Sequence, residues 1–182
     1  MEDEKDILRR MSSGDSDAFR LVFLKYAPRV EAFAMKMLKN IHEAQDVSQN
    51  IFTKLWMQRR ELAQVQSLNA YLFRMTRNAI FNAYKHRQVE SKYQAETGAA
   101  ESPAAPQADE SVSTDDLLEM IDLAVRNMPE QRRRVFCMSR YENMSYNDIA
   151  EALNISPKTV QYHISGALAE LRKLLSAMAF FI

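Results

Sequence analysis

Residues 156–172 carry polar side chains of the types that contact DNA bases, arranged along one side of a predicted helix. Val160 and Ile164 lie four residues apart on the apolar side of that helix. A glutamine amide matches the edge of adenine, a lysine reaches guanine or phosphate, and a tyrosine meets a base or a thymine methyl group. The candidates for contact with double-stranded DNA are therefore Lys158, Thr159, Gln161, Tyr162, Ser165 and Arg172.

Two short helices joined by a tight turn are predicted to hold these side chains. Ser145 and Asp148 form a capping box at the start of the first helix, which stops at Asn154. Ser156 caps the second helix, and Pro157 takes its first position, where the missing N–H costs nothing. The predicted core stripe of the second helix is Val160, Ile164, Ala167, Leu168, Leu171 and Leu175. This pattern indicates a helix-turn-helix, whose second helix enters a major groove. A helical hairpin with a polar exterior is the alternative.

Gly166 lies in the middle of the second helix. A glycine in a helix interior costs about 1 kcal/mol relative to alanine. Close approach of the helix backbone to DNA is one explanation for it, because glycine has no side chain to hold two surfaces apart.

The composition predicts an all-helical protein. The chain has 182 residues, of which only three are Gly and five are Pro, so turn material for many short strands is scarce. Leu, Ala, Met, Glu, Lys, Arg and Gln, which favour helices, are abundant. The length suits two small domains, each with a modest core.

An acidic segment divides the chain. Glu96–Asp122 holds eight acidic residues and no Lys or Arg, although the whole chain balances 24 basic against 24 acidic residues. Within it, residues 97–113 contain two Pro and one Gly without apolar periodicity, as in a flexible linker. We therefore predict two small helical domains joined by a flexible acidic linker: a helical domain at 1–93, the linker at 94–113, and a helix-turn-helix domain at 114–182.

The N-terminal domain is predicted to contain three long helices after a short leading one. The first long helix runs from Asp17 to Leu38, with a kink or local break at Pro28. The second runs from about Glu43 to Arg60, and the third from an N-cap at Ser67 to about Tyr93.

One face of the third long helix is basic. Leu72, Met75 and Ala79 fall on its core side at about 100° per residue. Opposite them the helical wheel places Arg74, Arg77, Asn78, Phe81 and Lys85. Cations and an aromatic ring suit single-stranded nucleic acid, because cations follow the phosphates and rings stack on unpaired bases. A solvated face with Phe81 packed under a neighbouring helix is an equally good interpretation of this helix alone.

Several segments resemble bacterial extracytoplasmic-function sigma factors, a group of the sigma-70 family. Residues 128–175, including "SPKTVQYHIS", are similar to the family's promoter-distal DNA-binding domain, in a version common in Bacteroidetes. "GDSDAFRLVFLKYAPRVEAFAMKML" resembles the first core helices, "HEAQDVSQNIFTKLW" the polymerase-binding segment, and "YLFRMTRNAIFNAYKHRQ" the promoter-melting segment. The resemblance covers about residues 6–178, and motifs in the family's order are far more specific than any one alone.

The resemblance implies a surface that binds the clamp-helix coiled coil of the largest polymerase subunit. Its residues are Asp46, Gln49, Asn50, Phe52 and Trp56. Phe52 and Trp56 lie four apart on the apolar side, so we expect them to be mainly core. The family usually has acidic residues where this chain has Gln45 and Asn50, which implies a weaker or differently organised polymerase contact.

The resemblance also implies a DNA-melting site. Arg74, Arg77, Asn78 and Asn82 match the family's promoter-opening segment. Residues 61–69 correspond to a loop that captures a base flipped from the non-template strand, which needs amide and backbone partners for the base edge. The predicted melting residues are Gln64, Gln66, Asn69, Arg74, Arg77, Asn78, Phe81, Asn82 and Lys85.

A sigma factor that binds core RNA polymerase and recognises the −35 and −10 promoter elements is the favoured function. Such factors often have an inhibitory anti-sigma partner. Two alternatives are a LuxR-type transcriptional regulator, which lacks the polymerase-binding and melting segments, and a helical adaptor without a DNA role. We expect no cofactor, because the three His and one Cys are scattered and suggest neither a metal site nor an enzyme nucleophile.

The N-terminal residues and the lengths of the apolar runs indicate where in the cell the protein is expected. The opening "MEDEKD" is acidic where a secretory signal is basic and then apolar. No apolar run approaches the roughly 18 residues of a membrane span. We therefore expect no membrane insertion and a cytoplasmic protein.

Overall fold

The computed structural model describes residues 4–93 and 112–181, without the side chains of residues 88–93. These residues form α-helices and one 3₁₀ helix and contain no strand, which confirms the all-α class. Most of the predicted acidic linker, residues 94–111, lies outside the described residues. The helices are α1 (Glu4–Ser12), α2 (Ser16–Leu38), α3 (Ile41–Met57), the 3₁₀ helix (Arg59–Gln64), α4 (Leu68–Tyr93), α5 (Thr114–Arg126), α6 (Glu130–Arg140), α7 (Tyr146–Leu153) and α8 (Pro157–Met178).

The chain divides into two compact units. The first comprises Met1–Ser113 together with Ala177–Ile182, and the second comprises Thr114–Ser176. The last residues therefore pack with the N-terminal unit, whereas the sequence prediction groups them with the helix-turn-helix. The domain boundaries themselves stay a prediction.

Helix α2 is a single helix of 23 residues. Asp15 caps it by accepting hydrogen bonds from the backbone N–H groups of Asp17 and Ala18, at 2.9 and 3.1 Å. The hydrogen bond from the Arg10 side chain is the main cause of a lowered pKa at Asp15. Of the predicted kink or local break at Pro28, the break does not occur, because the helix runs through this residue. The nearby Ala27 and Val30 are buried in the core.

Aromatic rings fill the core of the first unit. Phe33 and Phe73 stack with their centroids 5.8 Å apart. Phe181 lies against both rings, at 5.8 and 5.9 Å, and only 1% of it is exposed. A T-shaped or offset arrangement of such rings contributes beyond the area that it buries.

Helix α4 holds the C-terminal end of α2. The Tyr84 hydroxyl donates a hydrogen bond to the carbonyl oxygen of Met37. Arg87 Nη2 donates to the carbonyl oxygen of Leu38 at 3.0 Å and forms an ion pair with Glu43 at 2.7 Å. These bonds satisfy carbonyl groups that the end of a helix leaves without partners.

The last two helices of the second unit begin at the caps that the sequence predicts. Ser145 Oγ accepts from Asp148 N at 3.2 Å, and the Asp148 carboxylate accepts from Ser145 N at 3.3 Å, so the capping box is confirmed. Asn154 ends α7 in the left-handed conformation, with φ of 52°. Ser156 Oγ accepts from Thr159 N at 3.1 Å, which confirms the second cap.

The core side of α8 is only partly the predicted one. Val160, Ile164 and Ala167 are buried in clusters with residues of α5, α6 and α7. Leu168 and Leu175, however, are 47% and 44% exposed, and Leu174 is buried instead. The buried residues of α8 are spaced alternately four and three residues apart, as the 3.6-residue turn of a helix requires. Positions 168 and 175, which the sequence predicts to be buried, each follow a buried position by one residue and so face away from the core.

Candidate polymerase and nucleic-acid interfaces

A groove of about 380 Å³ lies between α2 and α3 in the first unit. Aromatic rings form much of its wall. The ring centroids of Phe19 and Trp56 are 5.0 Å apart, and those of Phe23 and Phe52 are at the same separation. The other lining residues are Glu31, Gln45, Ser48, Gln49, Thr53 and Met57. An open groove with aromatic walls and amide groups at its rim can accept apolar side chains from a partner.

The residues predicted to bind polymerase lie in and beside this groove. Asp46, Gln49 and Asn50 are exposed on α3, and Gln49 also lines the groove. Phe52 is buried and Trp56 is half-buried, so both belong in part to the core, as their spacing predicts. The structure thus brings these five residues to one stretch of a single helix.

The Trp56 indole is held by a cation. The Arg59 guanidinium lies 4.8 Å from the centre of the indole ring. Arg59 Nη1 also donates to the carbonyl oxygen of Trp56 at 3.0 Å. Arg59 therefore fixes the edge of the groove where α3 passes into the 3₁₀ helix.

The segment predicted to capture a flipped base, residues 61–69, begins within the 3₁₀ helix (Arg59–Gln64), whereas the sequence prediction treats it as a loop. Gln64 and Gln66 are exposed, and Asn69 is half-buried. The Asn69 Oδ1 atom is buried and has no hydrogen-bond partner among the residues that the structure describes. Because this oxygen is buried, the amide oxygens of this segment that a base can reach are those of Gln64 and Gln66.

The start of α4 is held from two directions. Ser67 Oγ accepts from Ala70 N at 3.2 Å, which confirms the predicted N-cap. The Glu4 carboxylate of α1 accepts from Leu68 N at 3.0 Å. Sequence reasoning missed Glu4, because 64 residues separate the partners and no local pattern links them.

The face of α4 that is predicted to bind the melted DNA strand is partly exposed. Lys85 is exposed, and the half-buried members are Arg77, Asn78, Phe81 and Asn82. Arg77 Nε donates to Asn78 Oδ1 at 3.3 Å. Phe81 keeps part of its ring accessible, so it can contribute to stacking.

Arg74 does not share that surface. It is 8% exposed, so its predicted place on the solvent side of α4 is wrong. Burial raises the pKa of the nearby Tyr71, Glu61 of the 3₁₀ helix raises it further, and Arg74 lowers it. A helical wheel places a residue relative to its own helix and does not include neighbouring elements, so it cannot show that Arg74 is buried.

Helix α8 presents the predicted base-reading residues to solvent. Lys158, Gln161, Tyr162, Ser165 and Arg172 are all exposed, with Tyr162 at 67%. Thr159 is half-buried, and its hydroxyl lies 2.8 Å from Ser156 Oγ, within the helix cap. The exposed set begins in the first turn of the helix, where a recognition helix makes its base contacts.

The described residues offer neither a membrane-spanning helix nor a metal-binding cluster. None of their helices is both long and apolar enough to cross a membrane. They contain no group of three or more His, Cys, Asp or Glu side chains placed to hold a metal ion.

The two units match two family models. Residues 22–89 match sigma-70 region 2, and residues 118–171 match sigma-70 region 4. The chain belongs to the sigma-70 family of sigma factors, in its extracytoplasmic-function group. The region 2 match decides against the LuxR-type regulator, since it covers the polymerase-binding and melting segments that such a regulator lacks. The matches to two regions of sigma factors also decide against an adaptor without a DNA role.

Curated relatives cover nearly the whole chain. RNA polymerase sigma factor CarQ of Myxococcus xanthus is 26% identical over 172 residues, which cover 94% of this chain and 97% of CarQ. ECF RNA polymerase sigma factor SigW of Bacillus subtilis is 23% identical over 179 residues, covering 94% and 96%. The solved structure of CnrH in complex with the cytosolic domain of CnrY is 20% identical, covers 96% and 97%, and has a TM-score of 0.41.

As a sigma factor, the chain recognises promoters and initiates transcription together with RNA polymerase. Its partners are therefore core RNA polymerase and promoter DNA.

Proposed function

We propose that the three exposed regions described above divide the work of this sigma factor. The edge of α3 with Asp46, Gln49 and Asn50, together with the aromatic groove containing Phe52 and Trp56, binds core RNA polymerase. Gln64, Gln66 and Asn69 and the α4 face with Arg77, Asn78, Phe81, Asn82 and Lys85 bind the melted strand of the promoter element nearest the start site. On α8, Lys158, Thr159, Gln161, Tyr162, Ser165 and Arg172 contact the promoter-distal element.

The exposure of Gln161 and Tyr162 in the capped start of α8 carries this proposal. Double-stranded DNA is read through base edges in the major groove, so the reading side chains must project from the helix. Lys158 and Arg172 suit phosphate, which positions a protein without specifying sequence. The proposed action is binding and DNA opening rather than catalysis, and it takes place in the cytoplasm with the polymerase. An anti-sigma factor stays a prediction.

Arg74 has a supporting role in this proposal. Its guanidinium is buried, so it stabilises the start of α4 and does not touch the DNA strand directly. Arg77 and Lys85 then supply the charge that follows the phosphates of the melted strand.

The test is transcription in vitro with core RNA polymerase and the full chain on promoters selected from a randomised duplex library. We expect transcripts that depend on the chain and promoters that share two separated sequence elements. Gln161→Ala and Tyr162→Ala should relax selection at the distal element alone, and Arg77→Ala should reduce opening at the proximal one. Promoters that share no distal element would contradict the role given to α8.

A further inference from the structure

Gly166 of α8 faces a guanidinium group. A Cβ atom built on Gly166 would lie 3.0 Å from both Cζ and Nε of Arg132 and 3.1 Å from its Nη2. Contact with three atoms of one flat group means that the guanidinium of this α6 residue lies on the backbone of α8. Gly166 is thus explained by a contact inside the second unit, and close approach to DNA is not needed to account for it.

The guanidinium is held where it lies. Arg132 Nη1 donates to the Glu170 carboxylate, which stands one turn after Gly166 on α8. The Arg132 side chain is 19% exposed, and its Nε is buried without a hydrogen-bond partner among the described residues. A buried donor left in that state is unfavourable. The close fit against Gly166 and the ion pair with Glu170 therefore hold the group in place despite that cost.

This contact lies one turn from the residues proposed to read bases. Gly166 follows Tyr162 by four residues, and residues four apart lie on the same side of a helix. The other side of α8 is fixed by Val160 and Ile164, which pack in a cluster with Val135 of α6. Helix α6 thus meets α8 twice, through an apolar contact on one side and through Arg132 on the other. Together the two contacts set the rotation of α8 about its own axis.

We propose that Arg132 is a positioning residue for recognition of the promoter-distal element. Lying against Gly166 and paired with Glu170, it sets the orientation at which α8 presents Gln161 and Tyr162 to the bases. This rests on the proposed function, because it assigns base reading to the exposed face of α8. A side chain at position 166 would crowd the guanidinium and displace it from this position.

A double-mutant cycle tests the proposal in the holoenzyme of core polymerase and the full chain. The variants are Gly166→Ala, Arg132→Ala and the two combined, with Glu170→Gln and Arg132→Lys as separate probes. Arg134→Ala is the matched control, since Arg134 is exposed on the same helix and carries the same charge. The measurements are affinities for a library-selected promoter duplex and for its single-base variants in the distal element, each over a range of salt concentrations.

Gly166→Ala, Arg132→Ala and Glu170→Gln are each expected to reduce discrimination between the selected base pair and its replacements by about threefold to tenfold. Gly166→Ala should have no further effect once Arg132 is absent, because the clash is gone. Arg132→Lys should lose discrimination as Arg132→Ala does, because the lysine ammonium lacks the planar set of N–H donors of a guanidinium. The dependence of affinity on salt should stay unchanged, and Arg134→Ala should leave discrimination intact.

Three results would overturn the proposal. Additive effects of Gly166→Ala and Arg132→Ala would show that the two residues act separately. Equal weakening for all sequences, with a salt slope reduced by about one, would make Arg132 a direct phosphate contact. Unchanged discrimination in Glu170→Gln, whose fold is checked by circular dichroism, would show that the ion pair positions nothing. If the unchanged holoenzyme selects no duplex, the proposed function itself fails, which is distinct from a cycle that is additive while selection persists.

Discussion

The two units differ in the sequence separation between the residues whose hydrogen bonds hold their helices. In the first unit, Tyr84 reaches back 47 residues to Met37, and Glu4 reaches forward 64 residues to Leu68. In the second unit, the caps at Ser145 and Ser156 have partners three residues away. Contacts between residues far apart in the sequence therefore hold the helices of the N-terminal unit, whereas the starts of α7 and α8 are set by caps within their own sequence.

The surfaces proposed to meet DNA differ in the same way. On α4 the candidate residues are mostly half-buried, and Arg74 is inside. On α8 they are exposed, apart from the half-buried Thr159. A groove in duplex DNA must be entered, while a melted strand can lie across a shallow surface and stack on it.

Phe73→Ala should destabilise the first unit by about 3–5 kcal/mol, because it removes a ring that stacks on Phe33 and leaves a cavity. Urea unfolding followed by the fluorescence of Trp56, the single tryptophan, measures it. Leu24→Ala is the matched control, since Leu24 is 61% exposed and should change stability by no more than about 0.5 kcal/mol. Equal effects of the two would contradict a core built on stacked aromatic rings.

Arg74→Ala should lower the stability of the first unit by about 2–3 kcal/mol, since a buried side chain loses its packing as well as its charge. Arg77→Ala should leave stability within about 0.5 kcal/mol and instead reduce promoter opening. Urea unfolding and the permanganate reactivity of unpaired thymines separate the two effects. A stable Arg74→Ala protein with impaired opening would return Arg74 to the DNA-binding face.

Gln161→Ala and Tyr162→Ala should each cost about 1–3 kcal/mol at one base pair of the distal element. Arg172→Ala should weaken all sequences alike and reduce the salt slope by roughly one. Binding of single-base promoter variants at several salt concentrations distinguishes these outcomes. Should Arg172→Ala alter base preference while the other two do not, the assignment of reading residues is wrong.

Tyr84→Phe should cost about 1 kcal/mol, the usual net contribution of one hydrogen bond. Burial raises the pKa of Tyr84 above its ordinary value of 10.0. The folded state then favours the neutral phenol, so its contribution is complete below pH 10 and is lost as the pH rises through the folded-state pKa. Stability measured from neutral to alkaline pH should fall less steeply in Tyr84→Phe, and the exposed Tyr162→Phe should change nothing.

Sequence patterns correctly predicted the structural features that depend on residues close together in the chain. The caps at Ser67, Ser145 and Ser156 and the stop at Asn154 are correct because each lies within a few residues of its partner. The all-α class follows from composition, and the exposed face of α8 follows from periodicity.

What depends on tertiary contacts escaped prediction. Arg74 is buried although the helical wheel places it opposite the core, and Gly166 is explained only by Arg132, which lies 34 positions earlier in the sequence. Leu168 and Leu175 look apolar enough for the core, yet the turn of the helix carries them out of it. Residue types and their spacing predicted the candidate sites, but they did not show which residues of each site reach the surface.

The bonds that hold the end of α2 have a consequence for synthesis on the ribosome. Met37 and Leu38 emerge well before Tyr84 and Arg87, the side chains that bind their carbonyl groups. Loops of nearly fifty residues must close before these bonds form, which slows folding relative to a unit built on local contacts. A nascent chain that pauses before residue 84 therefore carries α2 and α3 without the α4 side chains that hold the end of α2, and such incompletely packed helices are the kind of species that chaperones bind.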